Sequence, residues 1–164
     1  MFAVESVTRV LFVCLGNICR SPAAENIFRQ IVKEEGLSRQ IITDSAGTLG
    51  LHTGKKPDLR MSHTLTERGY LVTGAARGFS PTDFSEFDLI LTMDRENRRD
   101  VLALASSPEE EAKVRNFTDF CQNHTENEVP DPYYGGQDGF DLVADLIEDG
   151  SQGLLLHLRS NKTT

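Results

Sequence analysis

Residues 9–22 read RVLFVCLGNICRSP, and the fold turns on how they are read. Val10 to Val13 form an apolar run of the kind that becomes a strand buried on both faces of a parallel sheet. Ser21 reads as a helix N-cap and Pro22 as the first helical position. Ala24, Ile27, Phe28, Ile31 and Val32 then follow at the spacing of one buried helical stripe, and Gly36 supplies the stop. Between strand and helix lies a loop with two thiols and a guanidinium: Cys14, Cys19 and Arg20. Packing alone gives no reason for those groups to be there, so the loop asks for a chemical one.

Working outward, apolar runs alternate with amphipathic segments. QIITDSAG (40–47) is a shorter strand running into a turn, and PDLRMSHTLTERG (57–69) a helix with Pro57 near its start and Gly69 at its end. FDLILTM (87–93) is among the most apolar segments, which suits a central strand; Asp94 can cap the helix that follows, through Leu104. AKVRNF (112–117) is a weaker fourth strand. A long polar loop, CQNHTENEVPDPYYGG (121–136), precedes a last helix carrying Phe140, Val143 and Ile147. Gly150 and Gly153 leave its continuation to His157 open. This alternation predicts an α/β fold of three layers, a parallel sheet with helices on both faces. Ligands in such sheets bind beyond the carboxyl ends of the strands, where CLGNICR lies.

The chain has 164 residues, which suits one domain over 1–164, with residues 1–6 as a loosely ordered N-terminal extension. No apolar run approaches the roughly 20 residues of a membrane span. The start, MFAVESVTRV, lacks the basic and long apolar regions of a signal peptide, so the expected location is the cytosol. A net charge of −8 disfavours nucleic acid or an anionic membrane as partner, yet permits a phosphorylated substrate bound by a few local donors. The three cysteines cannot all pair, and in a reducing compartment they are thiols. Their spacing fits neither a redox C-x-x-C nor a zinc knuckle, and the four histidines are scattered, so no metal site or cofactor is expected.

What the loop can hold is an oxyanion. Gly16 permits backbone conformations that other residues avoid, and Asn17 tolerates the left-handed region. Successive amides can then turn inward as an anion nest, with the positive end of a helix dipole below. Arg20 adds a planar fork matched to two oxygens of a tetrahedral anion. The Lys-Ser/Thr ending of a nucleotide P-loop is absent. Cys14 lies at the mouth of this cradle, where amides, helix terminus and guanidinium all favour thiolate. Such a sulfur can attack a phosphorus held in line, and Ser21 can donate a hydrogen bond that helps it leave again. A leaving oxygen also needs a proton. Asp131, in VPDPYYGG, lies between two prolines and ahead of two glycines that let the segment move; Tyr133 and Tyr134 would wall the site for an aryl group. On pattern alone, Asp131 reads equally well as a turn residue.

The loop Cys14-Leu15-Gly16-Asn17-Ile18-Cys19-Arg20-Ser21 and the late Asp131-Pro132-Tyr133-Tyr134, with DSAGT and FDLILTMDREN between them, resemble the low-molecular-weight protein tyrosine phosphatases over nearly the whole chain. The resemblance implies Cys14 as nucleophile, Arg20 as phosphate binder and Asp131 as general acid and base, without metal or cofactor. It also implies a sheet of order 2-1-3-4, a loop-supporting network of Asn17, Ser21 and Ser45, and pocket walls from Leu51, Tyr133 and Tyr134. The implied partners are phosphotyrosine-containing proteins, with phosphate and similar oxyanions as inhibitors. Two positions depart from the pattern. Gly74 stands where many relatives have a histidine supporting the loop asparagine, and Leu51 where an aromatic residue is common. Ile18 resembles the phosphotyrosine group; relatives acting on phosphoarginine tend to have threonine there. Arsenate reduction on the same scaffold would need a resolving-cysteine relay; Cys121 precedes the acid loop and reads as incidental, and Asp131 with paired tyrosines fits a phosphatase better. A binding module without turnover would lack nucleophile or acid. Cys19 reads either as a small core residue or as a resolving thiol for Cys14 under oxidant. Asp94 reads as a helix cap with orientation of Arg20 as an extra role, His52 as a surface residue near the pocket rim, and Arg95, Arg98 and Arg99 as a solvated face.

Overall fold

The computed structural model describes residues 6–161, so the expected N-terminal extension lies outside the described residues apart from Ser6. Strands β1 (Thr8–Cys14), β2 (Ile41–Gly47), β3 (Leu89–Thr92) and β4 (Val114–Asn116) form a parallel sheet in the order β2-β1-β3-β4. The apolar run at Val10–Val13 serves both faces. Val10 and Phe12 enter the larger core, under α1 (Arg20–Glu34) and α6 (Gln137–Asn161). Leu11 and Val13 enter the smaller one with Phe84, Phe87 and Val101. All four are fully buried, as strands sandwiched between helical layers must be.

The helix stops work as their glycines suggest. Gly36 (φ 72°) follows α1 and Gly69 (φ 91°) follows α2 (Leu59–Glu67). At each, the glycine amide and the next amide bond back into the last turn: Gly36 to Lys33 O and Leu37 to Val32 O, Gly69 to Thr66 O and Tyr70 to Leu65 O. Asp58 caps α2 by accepting from the Arg60 and Met61 amides. Three short elements escape the sequence pattern: α3 (Asp83–Glu86), α5 (Pro108–Ala112) and a 3-10 turn at Phe117–Phe120. Between them lies α4 (Arg95–Leu102), whose Asp94 cap is reciprocated by the Asn97 side chain.

One sequence expectation changes, and one point left open is resolved. α1 begins at Arg20, with Cys19 at the N-cap, so Ser21 and Pro22 are already inside the first turn. Ser21 does not cap because its hydroxyl is committed to the loop above, and Pro22 is harmless because first-turn amides have no helical partner. α6 passes straight through Gly150 and Gly153. A Cβ at Gly150 would meet the Phe117 ring at 2.3 Å, and one at Gly153 would meet Phe120 O at 1.8 Å. Those glycines let the helix lie against the 3-10 turn. Among the described residues, no helix is long and apolar enough to cross a membrane.

Candidate active site

β1 ends at Cys14, the loop climbs over the carboxyl edge of the sheet, and α1 returns beneath it. Gly47, at the end of β2, gives the loop room: a Cβ there would come within 2.8 Å of Leu15 O. The left-handed turn falls on Asn17 (φ 58°), the only described non-glycine residue with positive φ. Gly16 is not in that region, contrary to the sequence reading; its missing side chain makes space for the His52 ring, whose Cδ2 lies 2.9 Å from where a Cβ would be.

Hydrogen bonds fix the surroundings of the Cys14 sulfur. The Asn17 N–H donates to Cys14 Sγ at 3.3 Å, and Ser21 Oγ lies 3.0 Å from the same sulfur. Asn17 Nδ2 donates to Ser21 Oγ at 2.8 Å and to Ser45 Oγ at 2.9 Å, and Ser45 donates onward to Glu25 Oε1 at 2.5 Å. Ser21 Oγ accepts from Asn17, and its own hydrogen can go to the sulfur or to Ala46 O, which lies 3.4 Å away. Asn17 Oδ1 in turn accepts from the Arg77 N–H at 2.9 Å. The support for Asn17 Oδ1 thus comes from the backbone at residue 77. Gly74 adopts φ 110°, and the space left beside Asn17, Glu25 and Ser45 is about 10 Å³, no more than one water needs.

Arg20 is 3% exposed and points its Nη1 inward, donating to Asp94 Oδ2 at 2.6 Å and Val129 O at 3.0 Å. Asp94 is therefore both cap and anchor. Burial works against the Arg20 charge, but Cys14, Asp94 and Asp131 outweigh it and hold the guanidinium above its ordinary value. Its other amino group, Nη2, lies 3.8 Å from Asp131 Oδ2. Asp131 Oδ1 accepts from the Tyr133 N–H at 3.0 Å, the turn role, while Oδ2 faces the loop.

Cys14, Arg20 and Asp131 thus line one cavity of about 290 Å³, with Leu15, Gly16, Ile18, Cys19, Leu51, His52, Tyr133 and Tyr134. Leu51 and Tyr134 stand almost free at its rim, 76% and 94% exposed. Asn17, Ser21 and Ser45 lie behind the loop as its support. Cys121 does not line the cavity; its thiol donates to Leu146 O at 3.5 Å, and burial with Asp149 pushes it up to about 12. Cys19 is buried and likewise pushed up to about 12, by burial first and then by the Asp58 carboxylate. Sequence reasoning missed Glu25, Arg77, Asp58 and Arg60. Only Glu25 carried a local signal, a carboxylate among the buried residues of α1.

A family model described as low molecular weight phosphotyrosine protein phosphatase matches residues 9–164. A Synechocystis sp. protein bearing a low molecular weight protein-tyrosine-phosphatase name is 52% identical over 92% of this chain and 96% of its own. The low molecular weight protein-tyrosine-phosphatase of Streptomyces coelicolor is 42% identical over 92% and 93%. A crystal structure of a protein tyrosine phosphatase from Entamoeba histolytica superposes with a TM-score of 0.91 at 41% identity, covering 94% of this chain and 99% of that one.

Proposed function

The chain belongs to the low molecular weight phosphotyrosine protein phosphatase family, and we propose that it hydrolyses phosphotyrosine through a phosphorylated Cys14. One observation carries the reading: Cys14 Sγ accepts from the Asn17 amide and lies 3.0 Å from the Ser21 hydroxyl, in the cavity that also holds Arg20 and Asp131. With Nη1 tied to Asp94 and Val129, Arg20 offers Nε and Nη2 to two phosphate oxygens. Loop amides and the α1 N-terminus take the rest of the charge. The Sγ–P bond forms as the P–O bond to tyrosine breaks, and Asp131 Oδ2 gives its proton to the departing oxygen. Water then attacks phosphorus, Asp131 recovers a proton from it, and sulfur leaves as thiolate onto the Ser21 and Asn17 donors. Tyr133, Tyr134 and Leu51 flank the entrance, and free phosphate competes for the same cradle. The partners are phosphotyrosine proteins of the cytosol, where free thiols persist.

Cys19 serves as resolving thiol. Peroxide converts the Cys14 thiolate to a sulfenic acid; the Cys19 sulfur displaces its hydroxyl, and its proton leaves in the water formed. With Cys19 pushed up to about 12, this second step is the slow one. Peptide mass spectrometry after mild peroxide tests it: sulfinic Cys14 without an intramolecular disulfide rejects it.

The test of the main reading is aryl phosphate hydrolysis with chelator present. We expect turnover in wild type, none in Cys14→Ser, and a loss of about 10²-fold or more in Asp131→Asn. Full activity in Cys14→Ser would mean the loop is an anion nest and nothing more.

A further inference from the structure

Arg60 belongs to α2, outside both the phosphate loop and the acid segment, yet it reaches the wall of the cavity. Its Cζ lies 5.2 Å from the ring centroid of Tyr133 and 4.8 Å from that of Phe140. Asp58 orients it, with Oδ1 accepting from Arg60 Nε at 3.4 Å and Oδ2 from Nη2 at 3.2 Å. Asp58 is itself fastened to the phosphate loop: its backbone N–H donates to Ile18 O at 2.7 Å. At the far end, Tyr133 donates its N–H to Asp131 Oδ1 at 3.0 Å. Contacts therefore run unbroken from Ile18 through Asp58, Arg60 and Tyr133 to Asp131.

The acid segment is tied down at Val129, whose N–H donates to Met93 O and whose carbonyl accepts from Arg20. Pro132 is buried against α6, but the backbone between and beyond them has few bonds of its own. Pro130 and Pro132 have no N–H to give, and the Gly135 N–H to Pro132 O bond at 3.0 Å stays within the segment. A guanidinium suits this clamp because its faces stack on rings while its N–H edge grips a carboxylate. We propose that Arg60 is the positioning residue for the general acid, clamping Tyr133 so that Asp131 is held over the phosphate loop. The proposal rests on the reading of Asp131 as that acid.

A misplaced acid harms only esters whose leaving group needs a proton. Arg60→Ala should therefore lower kcat/KM by about tenfold for phenyl phosphate and hardly at all for dinitrophenyl phosphate. Arg60→Lys, keeping the cation without the fork, should recover part of the loss. In an Asp131→Asn background, Arg60→Ala should change nothing further for phenyl phosphate. An equal loss across leaving groups, or a full additional loss on Asp131→Asn, would overturn the proposal. If Asp131→Asn alone left phenyl phosphate hydrolysis unchanged, the fault would lie in the assignment of the acid, and the clamp would fall with it.

Discussion

Gly153→Ala should destabilise this protein although alanine is the better helix former. Gly153 lies inside α6, so propensity alone predicts a gain of about 1 kcal/mol. The added Cβ, however, would sit 1.8 Å from Phe120 O and 2.9 Å from Phe120 C, both backbone atoms. Restoring van der Waals contact needs a displacement of roughly 1.5 Å between α6 and the 3-10 turn, and packed interiors resist that. Overpacking of this severity costs ~3 kcal/mol, leaving a net loss of ~2 kcal/mol. For a chain of this size that is a fall in Tm of ~4–8 °C. Gly139→Ala is the matched control. It lies in the first turn of the same helix, where a Cβ would make only an ordinary contact with Pro132 Cβ at 3.6 Å, so it should be neutral or stabilising. Thermal melts by circular dichroism and urea unfolding would read both. If Gly153→Ala were as stable as wild type, the close approach of α6 to residues 117–120 would be wrong.

Asn17→Ala removes the donors to Ser21 and Ser45, strands the Arg77 N–H, and leaves a Cβ at φ 58°, so it should lose ~2–4 kcal/mol of stability and at least about tenfold in kcat/KM. Asn17→Gly should regain some stability but none of the rate; unchanged kinetics in either variant would count against the network. Iodoacetamide at neutral pH should label Cys14 ahead of Cys19 and Cys121, both pushed up to about 12, and inorganic phosphate should slow that labelling. Peptide mapping that finds Cys121 labelled first would refute this. The ion pair of His124 Nδ1 with Asp149 Oδ2, at 2.7 Å, pins residues 122–124 to α6. The bond to Asp149 raises His124, so its contribution is full below the ordinary 6.5 and fades as pH rises through the raised value. Burial opposes the Asp149 charge, but two backbone amides and His124 outweigh it and lower it, so its contribution is full above the ordinary 3.8 and lost as pH falls through the lowered value. The Tm penalty of His124→Ala should therefore be larger at pH 5 than at pH 8; a pH-independent penalty would disprove the pairing.

How much of this was legible in the sequence follows from the range of the interactions. Val10–Val13, the loop and the stripe on α1 could be read because strand, turn and helix patterns repeat over a few residues. Cys14 and Arg20 followed from chemistry packed into seven positions, and Asp131 needed the family resemblance because its turn and acid roles share one pattern. The cap reading of Ser21 failed because its partners, Cys14 and Asn17, outcompete a cap that local sequence would allow. Gly150 and Gly153 looked like possible breaks because what makes them necessary is the Phe117–Phe120 turn, some thirty residues away. Glu25–Ser45, Asn17–Arg77 and Arg60–Tyr133 are also pairings across long separations.

The network behind Cys14 has a polarity. Asn17 sends one amide hydrogen toward Ser45 and Glu25 and the other toward Ser21 and Cys14, so both arms end on an acceptor, a carboxylate and a sulfur. Both arms depend on one nitrogen. Hydrolytic loss of that nitrogen, turning Asn17 into aspartate, would leave the shape almost unaltered and remove the two hydrogens given to Ser21 and Ser45, while the Arg77 N–H would still find its acceptor. An acceptor would then face Ser21 Oγ and Ser45 Oγ where both arms need a donor. Chemical ageing at this one amide would silence the enzyme while leaving it folded enough to pass for intact.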